Sequence, residues 1–352
     1  MTELKQLTGA RGLAAWAVVL YHLRLSIAGL PEPVLKLLAK GYLAVDFFFL
    51  LSGFVIWLAW HERVRGHTAR FWQKRVARIW PLHLLMLCLA VMLATVQAAR
   101  GHPDPAFPWA ELPLHLLLVQ QWGTTTTLHW NDPAWSISAE LAAYLLLPLL
   151  TRTADWRRCS TAALVALAAV ALAILPLTIG TDSLGQDIAR FGLLRCLAEF
   201  TAGTVLAALY LRGGSARAPA GIAAIGALAW AAGAPETLAV PPLFAAALLA
   251  LARSRTRLLT LHPIHWLGEI SYATYLSHFL LWKAFKLCLA PGPQQPLVIA
   301  TYLATVLLAS HLLYRWWELP AQAWVNQLSF SRRNEPVTRA LPPDGSQNRL
   351  LR

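Results

Sequence analysis

The sequence predicts an all-α fold: a polytopic transmembrane helical bundle of about ten helices, with both termini cytoplasmic. Three observations carry that expectation. The chain is 57% hydrophobic and only 13% charged, about half the charged fraction of a soluble domain. Apolar stretches long enough to cross a bilayer recur along nearly all 352 residues. Basic residues gather in alternate loops: Arg63, Arg65, Arg70, Lys74, Arg75 and Arg78, then Arg152/Arg157/Arg158, Arg212/Arg217 and Arg253/Arg255/Arg257. That alternation follows the positive-inside rule and assigns those loops to the cytoplasm. It also accounts for the net charge of +13 without a nucleic-acid partner; the partners implied are membrane lipids.

In order, the apolar stretches predict helices over 12–30, 42–60, 80–99, 135–151, 159–178, 191–211, 219–233, 238–252, 267–289 and 297–315. The seventh and eighth are short and joined by "GAPET", so they either cross twice or form a re-entrant hairpin. The outer loop 100–134 contains "ELPLHLLLVQQW", too short to span, which is expected to lie in the interface or fold back over the bundle. The opening "MTELKQLTGARG" is no cleavable signal, because no small-residue cleavage site follows it. Residues 1–323 form one transmembrane unit. The polar tail 324–352, broken by Pro and Gly, is expected to be disordered. Cys88, Cys159, Cys196 and Cys288 show no CxxC spacing and imply neither a disulfide nor a metal.

Function must reside in the polar residues inside the spans, since no HExxH, GxSxG or Walker-type loop is present. The His262/His265 pair is too weak a pattern to argue a metal. Arg11 and His22 open the first span. Eleven helical steps put them on one face, roughly 16 Å apart, one at a membrane surface and one near the midplane. His22 is either a helix-packing hydrogen-bond donor or a neutral general base for a hydroxyl. Arg11 needs no more than the positive-inside rule. In "VDFFFLLSGFVI", Asp46 must face the bundle interior, and Ser52-Gly53 mark a close approach between helices. In "NDPAWSISAELAAY", Glu140 lies little more than a turn below the outer surface, with Trp135 at interfacial depth. Arg75 and Arg78, one turn apart, suit either phosphate or lipid headgroups. Arg195 and Glu199, at i and i+4, are expected to neutralise each other. Ser271, Tyr275 and His278 share a face of the ninth span, to bind substrate or to knit helices. His311 and "YRWWELP" read as interfacial.

These pieces together resemble the acyltransferase 3 family of bacterial membrane acyltransferases, which includes surface-polysaccharide O-acetylases. The resemblance is carried, in order, by Arg11 and His22, "VDFFFLLSGFVI", "RVARIWPLHLL", "WSISAELAAYLLLP", "RCLAEFTAGTVLA", "GEISYATYLSHF" and "YRWWELPAQ". It implies a bacterial inner-membrane enzyme that uses cytosolic acyl-CoA, with acetyl-CoA the usual donor, and no metal. The acceptor would be a hydroxyl of a glycan or lipid-linked sugar at the outer face. His22 would act as general base or transient acyl carrier, with Asp46 and Glu140 orienting it. Arg11, Arg75 and Arg78 would hold the CoA, and Ser52, Trp135, Tyr275 and His278 would line the acceptor path. Some relatives carry an added SGNH-type hydrolase domain, for which this chain has no room. Final transfer would then fall to the bundle or to separate polysaccharide-assembly partners. The competing class is a transporter or flippase with the same residues along a substrate path.

Overall fold

The structure is a computed structural model that describes residues 4–254 and 256–328. Among these residues it is all-helical, without strands. The first half comprises α1 (Lys5–Leu23), α2 (Glu32–Leu38), α3 (Ala44–Trp60), α4 (Thr68–Ala99), α5 (Leu112–Leu117), α6 (Ala134–Thr153) and α7 (Thr161–Ile179). The second half comprises α8 (Ile188–Leu211), α9 (Arg217–Ala231), α10 (Glu236–Arg253), α11 (His262–Glu269), α12 (Ser271–Lys286) and α13 (Pro296–Leu313). A π-helical turn, Tyr314–Glu318, then leads into α14 (Leu319–Gln327).

Ten spans are expected from the sequence, and among the described residues seven helical segments are both long enough and apolar enough to cross a bilayer. The shortfall has local causes. Helix α9 has 15 residues and α12 has 16, and the first two turns of α1 carry Lys5, Gln6, Thr8 and Arg11. Helix α9 packs along α10 at the periphery, with Ile222, Ile225 and Leu228 exposed.

Glycines set the closest helix contacts. A Cβ on Gly53 would collide with the Phe200 carbonyl, and one on Gly203 with the Leu50 carbonyl, so α3 and α8 meet backbone to backbone. The Ser52-Gly53 pair is thus a close-packing point, as expected. Gly12 and Gly268 do the same for α1 and α11, where a Cβ on Gly12 would lie 2.6 Å from the Gly268 nitrogen.

The loop between α4 and α6 folds back into the bundle. Helix α5 is anchored where Trp80 Nε1 donates to the Leu116 carbonyl (3.0 Å) and His83 Nε2 to the His115 carbonyl (2.7 Å). It stops at Leu118, which is buried in a left-handed conformation (φ 57°) and whose carbonyl accepts from Ser138 Oγ at 2.7 Å. Of the two alternatives for this segment, folding back is therefore the one adopted. At the chain's other end the helix continues to Gln327, and Gln73 Nε2 donates to the Val325 carbonyl at 2.7 Å. Residues 324–327, expected to belong to the tail, instead complete α14; residues 329–352 lie outside the described residues. The four cysteines are free.

Replacing Gly53 or Gly203 by Val should cost about 1–3 kcal/mol through overpacking. Size-exclusion profiles of detergent-extracted protein would show it as loss of the monodisperse peak; a wild-type profile for both would contradict the α3–α8 contact.

Candidate functional site

Polar side chains run inside the bundle from the end that carries the α3–α4 loop toward the middle; the helix expected to start at 80 begins at Thr68, so Arg75 and Arg78 stand within α4 rather than in a loop. At the basic end, Arg11 Nη2 and Nε donate to the Gly268 carbonyl at 2.8 and 3.2 Å. The Gly12–Gly268 approach brings that carbonyl within reach. Ser271 Oγ donates to the same oxygen at 2.7 Å. Arg78 pairs with Glu318, to which Gln322 Nε2 also donates (3.2 Å). Arg11 lies within electrostatic range of that carboxylate. The reading of "YRWWELP" as interfacial is corrected for Glu318, which is only 1% exposed. The π-turn inserts an extra residue per turn, and Trp317 Nε1 donates to the Pro81 carbonyl of α4 at 2.9 Å. Together they turn Glu318 inward.

Helix α6 contributes Ser136, Glu140 and Tyr144, spaced by four so that they fall on one face. Glu140 accepts from both Ser52 and Tyr144, whose hydroxyls are 3.0 Å apart. The Arg75 guanidinium stands 5.7 Å from the Tyr144 ring, within electrostatic range of Glu140, and its Nε makes no hydrogen bond. One turn along α6, Ser136 Oγ meets Tyr275 Oη at 2.8 Å.

Helix α12 runs along this line. Its Tyr272 ring lies 5.1 Å from the Arg78 guanidinium, and its hydroxyl donates to the Ile79 carbonyl at 2.7 Å. Tyr275 follows, then His278, with ring centroids 6.2 Å apart. His278 meets His22: Nε2 of the first lies 3.2 Å from Nδ1 of the second, with the rings tilted by 52°. Phe279 packs edge-on against His22, with centroids 5.4 Å apart. Above the pair, Lys283 bonds Asp104 at 2.9 Å. Burial pushes the nearby Asp132 carboxyl up to about 6.

Asp46 and Glu140 are expected to orient His22, and the structure brings neither to it. Arg195 Nη2 and Nε donate to Asp46 Oδ1 at 2.7 and 3.2 Å, and Nη1 donates to the Leu184 carbonyl at 2.6 Å. The expected one-turn pair between Arg195 and Glu199 is corrected accordingly: the cation is bonded across to α3, and Glu199 lies beside Asp46. Trp135, expected at interfacial depth, is packed inside the bundle. It is 7% exposed, edge-on to Phe49 at 5.7 Å, and its ring carries the Arg195 guanidinium at 5.5 Å. Ser52 is committed to Glu140. Arg11, Arg75 and Arg78 do gather near one end, as expected. Sequence reasoning missed Ser136, Tyr144 and Glu318; the first two were available from their spacing with Glu140.

Fold and site define a multi-pass helical membrane protein whose acid–base groups lie inside the bundle. The model of the acyltransferase 3 family, described as an acyltransferase domain, matches residues 4–315, and the chain belongs to that family. It is 34% identical over 316 residues to the acyltransferase MdmB of Streptomyces mycarofaciens, covering 80% of this chain and 79% of that one. Over 161 residues it is 24% identical to the O-acetyltransferase OatA of Staphylococcus aureus, covering 42% of this chain and 24% of OatA. Over 102 residues it is 35% identical to protein 2 in the picA locus of Rhizobium radiobacter, 28% of this chain and 50% of that protein. No solved structure matches the chain. The protein is thus an acyltransferase enzyme of the membrane.

Arg195→Met would leave the Asp46 carboxylate buried without its cation, at a cost of about 3–5 kcal/mol. A thermal melt of the detergent-solubilised protein should show a large drop; an unchanged melting temperature would show that the pair contributes no stability.

Proposed function

We propose that this enzyme moves an acyl group, with acetyl the expected one, from cytosolic acyl-CoA to a hydroxyl on the other side of the membrane. The observation that carries this reading is the state of His22. Its Nδ1 lies 3.0 Å from the Val18 carbonyl, and a carbonyl only accepts, so Nδ1 holds the proton. Among the described residues its Nε2 has no hydrogen-bond partner, and it is not sealed off by protein. A neutral imidazole with a free Nε2 lone pair is a general base. Arg11 stands eleven residues away on the same helix, where the guanidinium cluster is suited to polyanionic CoA.

In this account the ten crossings are the seven long helices together with α1, α9 and the α11–α12 pair, and both termini are cytoplasmic. The site of action would be a bacterial inner membrane, with lipid against the exposed apolar faces. Arg75, whose Nε has no partner among the described residues, and Arg78, beside its Glu318 pair, draw CoA phosphates to the cytoplasmic end of the bundle, and Arg11 guides the thioester arm inward. Ser52 and Tyr144 fix Glu140 beside Arg75. As the acceptor oxygen attacks the thioester carbon, Nε2 takes its proton. The C–S bond then breaks, and the imidazolium returns that proton to the departing thiolate. The acceptor class is a glycan or lipid-linked sugar hydroxyl, for which the relationship to OatA, named an O-acetyltransferase, is the support. Membership of an acyltransferase family weighs against the transporter reading.

Labelled acetyl-CoA supplied to membranes holding wild type should label a lipid or polysaccharide fraction, and membranes holding His22→Ala should not. Normal labelling by a correctly inserted His22→Ala would remove the base. Arg75→Gln with Arg78→Gln should raise the acetyl-CoA concentration needed for half-maximal rate about 10-fold or more, as expected when charge-assisted phosphate contacts are lost. An unchanged dependence would take the donor away from these arginines.

A further inference from the structure

We propose that His278 is the positioning residue for His22, accepting its Nδ1–H and thereby keeping the reactive lone pair on Nε2. This inference deepens the function proposed above and rests on its reading of His22 as base. It replaces the expectation that His278 lines the acceptor path.

His278 Nδ1 lies 3.1 Å from the Thr274 carbonyl. A carbonyl has no proton to give, so His278 Nδ1 is the donor. In a neutral ring its Nε2 is then an acceptor without hydrogen. That Nε2 faces His22 Nδ1 at 3.2 Å. His22 Nδ1 carries a proton for the same reason, through Val18. The two rings therefore fit one consistent assignment, in which the His22 Nδ1–H is shared between the Val18 carbonyl and His278 Nε2. The opposite tautomer of His22 would set a lone pair against both acceptors.

His278 is itself held rigidly. It is fully buried, and Tyr302 of α13 donates to its backbone carbonyl at 2.8 Å. Its position on α12 is shared with Tyr272 and Tyr275, which face Arg78 and Ser136. A base whose Nδ1–H is accepted by a fixed neighbour is oriented, and its imidazolium is stabilised at the moment it forms. A carboxylate does this in many hydrolases. Here the carboxylates Asp46 and Glu140 are committed elsewhere, and a neutral imidazole occupies the place. A neutral acceptor avoids bringing a second buried anion into the bundle.

The test compares wild type, His22→Ala, His278→Ala, His278→Leu and His278→Gln, each normalised to monodisperse protein. Labelled acetyl-CoA is titrated with the native membrane extract as acceptor source. His278→Ala and His278→Leu should lower the maximal rate about 10- to 100-fold, the range for losing a partner that orients a reactive group. The apparent KM for acetyl-CoA should not move. His278→Gln should recover most of the rate, because its amide oxygen can accept the same proton. A merely structural His278 would give no such rescue and no split between rate and KM. Wild-type rate in His278→Ala, or Gln as impaired as Ala, would overturn the proposal. If His22→Ala is inactive and His278→Ala is normal, only the positioning role falls; an active His22→Ala removes the base itself.

Discussion

A polar side chain inside a membrane bundle has no water to turn to, and this constraint organises the whole molecule. Each such group must find its partner on another helix, and the partnerships then dictate which helices meet. Arg195 of α8 takes Asp46 of α3, Glu140 of α6 takes Ser52 of α3, and Arg78 of α4 takes Glu318 after α13. These contacts recruit helices far apart in sequence. Close backbone approaches at Gly53/Gly203 and Gly12/Gly268 make them sterically possible.

The partnerships divide into two kinds. The Asp46–Arg195 pair is closed: both groups are buried, the cation is capped by the Leu184 carbonyl, and Trp135 covers its face. Such a pair adds specificity of packing more than net stability. The line from Arg11 and Arg75 past Glu140 toward His22 is less fully paired. Among the described residues Arg75 Nε and His22 Nε2 have no hydrogen-bond partner, and in the proposed reaction these are the groups left for a substrate. Two helices bridge its ends, α1 with Arg11 and His22, and α12 with Tyr272, Tyr275 and His278.

Much of the fold was legible because hydropathy and charge alternation are local properties. The apolar runs and the close-packing role of Ser52-Gly53 came from short windows, and charge alternation put Arg11, Arg75 and Arg78 at one end. Pairings across helices were not. Helical spacing tells which face a residue occupies, but not what stands opposite. Arg195 thus looked paired with Glu199 four residues on, while its true partner lies 149 residues away. His22 and His278 are separated by 256 residues, and nothing in either window announces the other. Glu318 was misplaced for a different reason: two tryptophans signal an interface, and only the π-turn turns the next residue inward. Ser136 and Tyr144 are the contrary case, since their spacing around Glu140 was readable and was passed over.

The central claim is that one continuous polar line joins a donor site at the basic end to a base near the midplane. Sided proteoliposomes test it most directly. With orientation fixed by protease access to the α3–α4 loop (residues 61–67), labelled acetyl-CoA is sealed on one side only and label is followed into membrane-extract acceptor. The account predicts transfer only when acetyl-CoA shares the side of that loop. Equal transfer from either side, or transfer only from the opposite one, would contradict it.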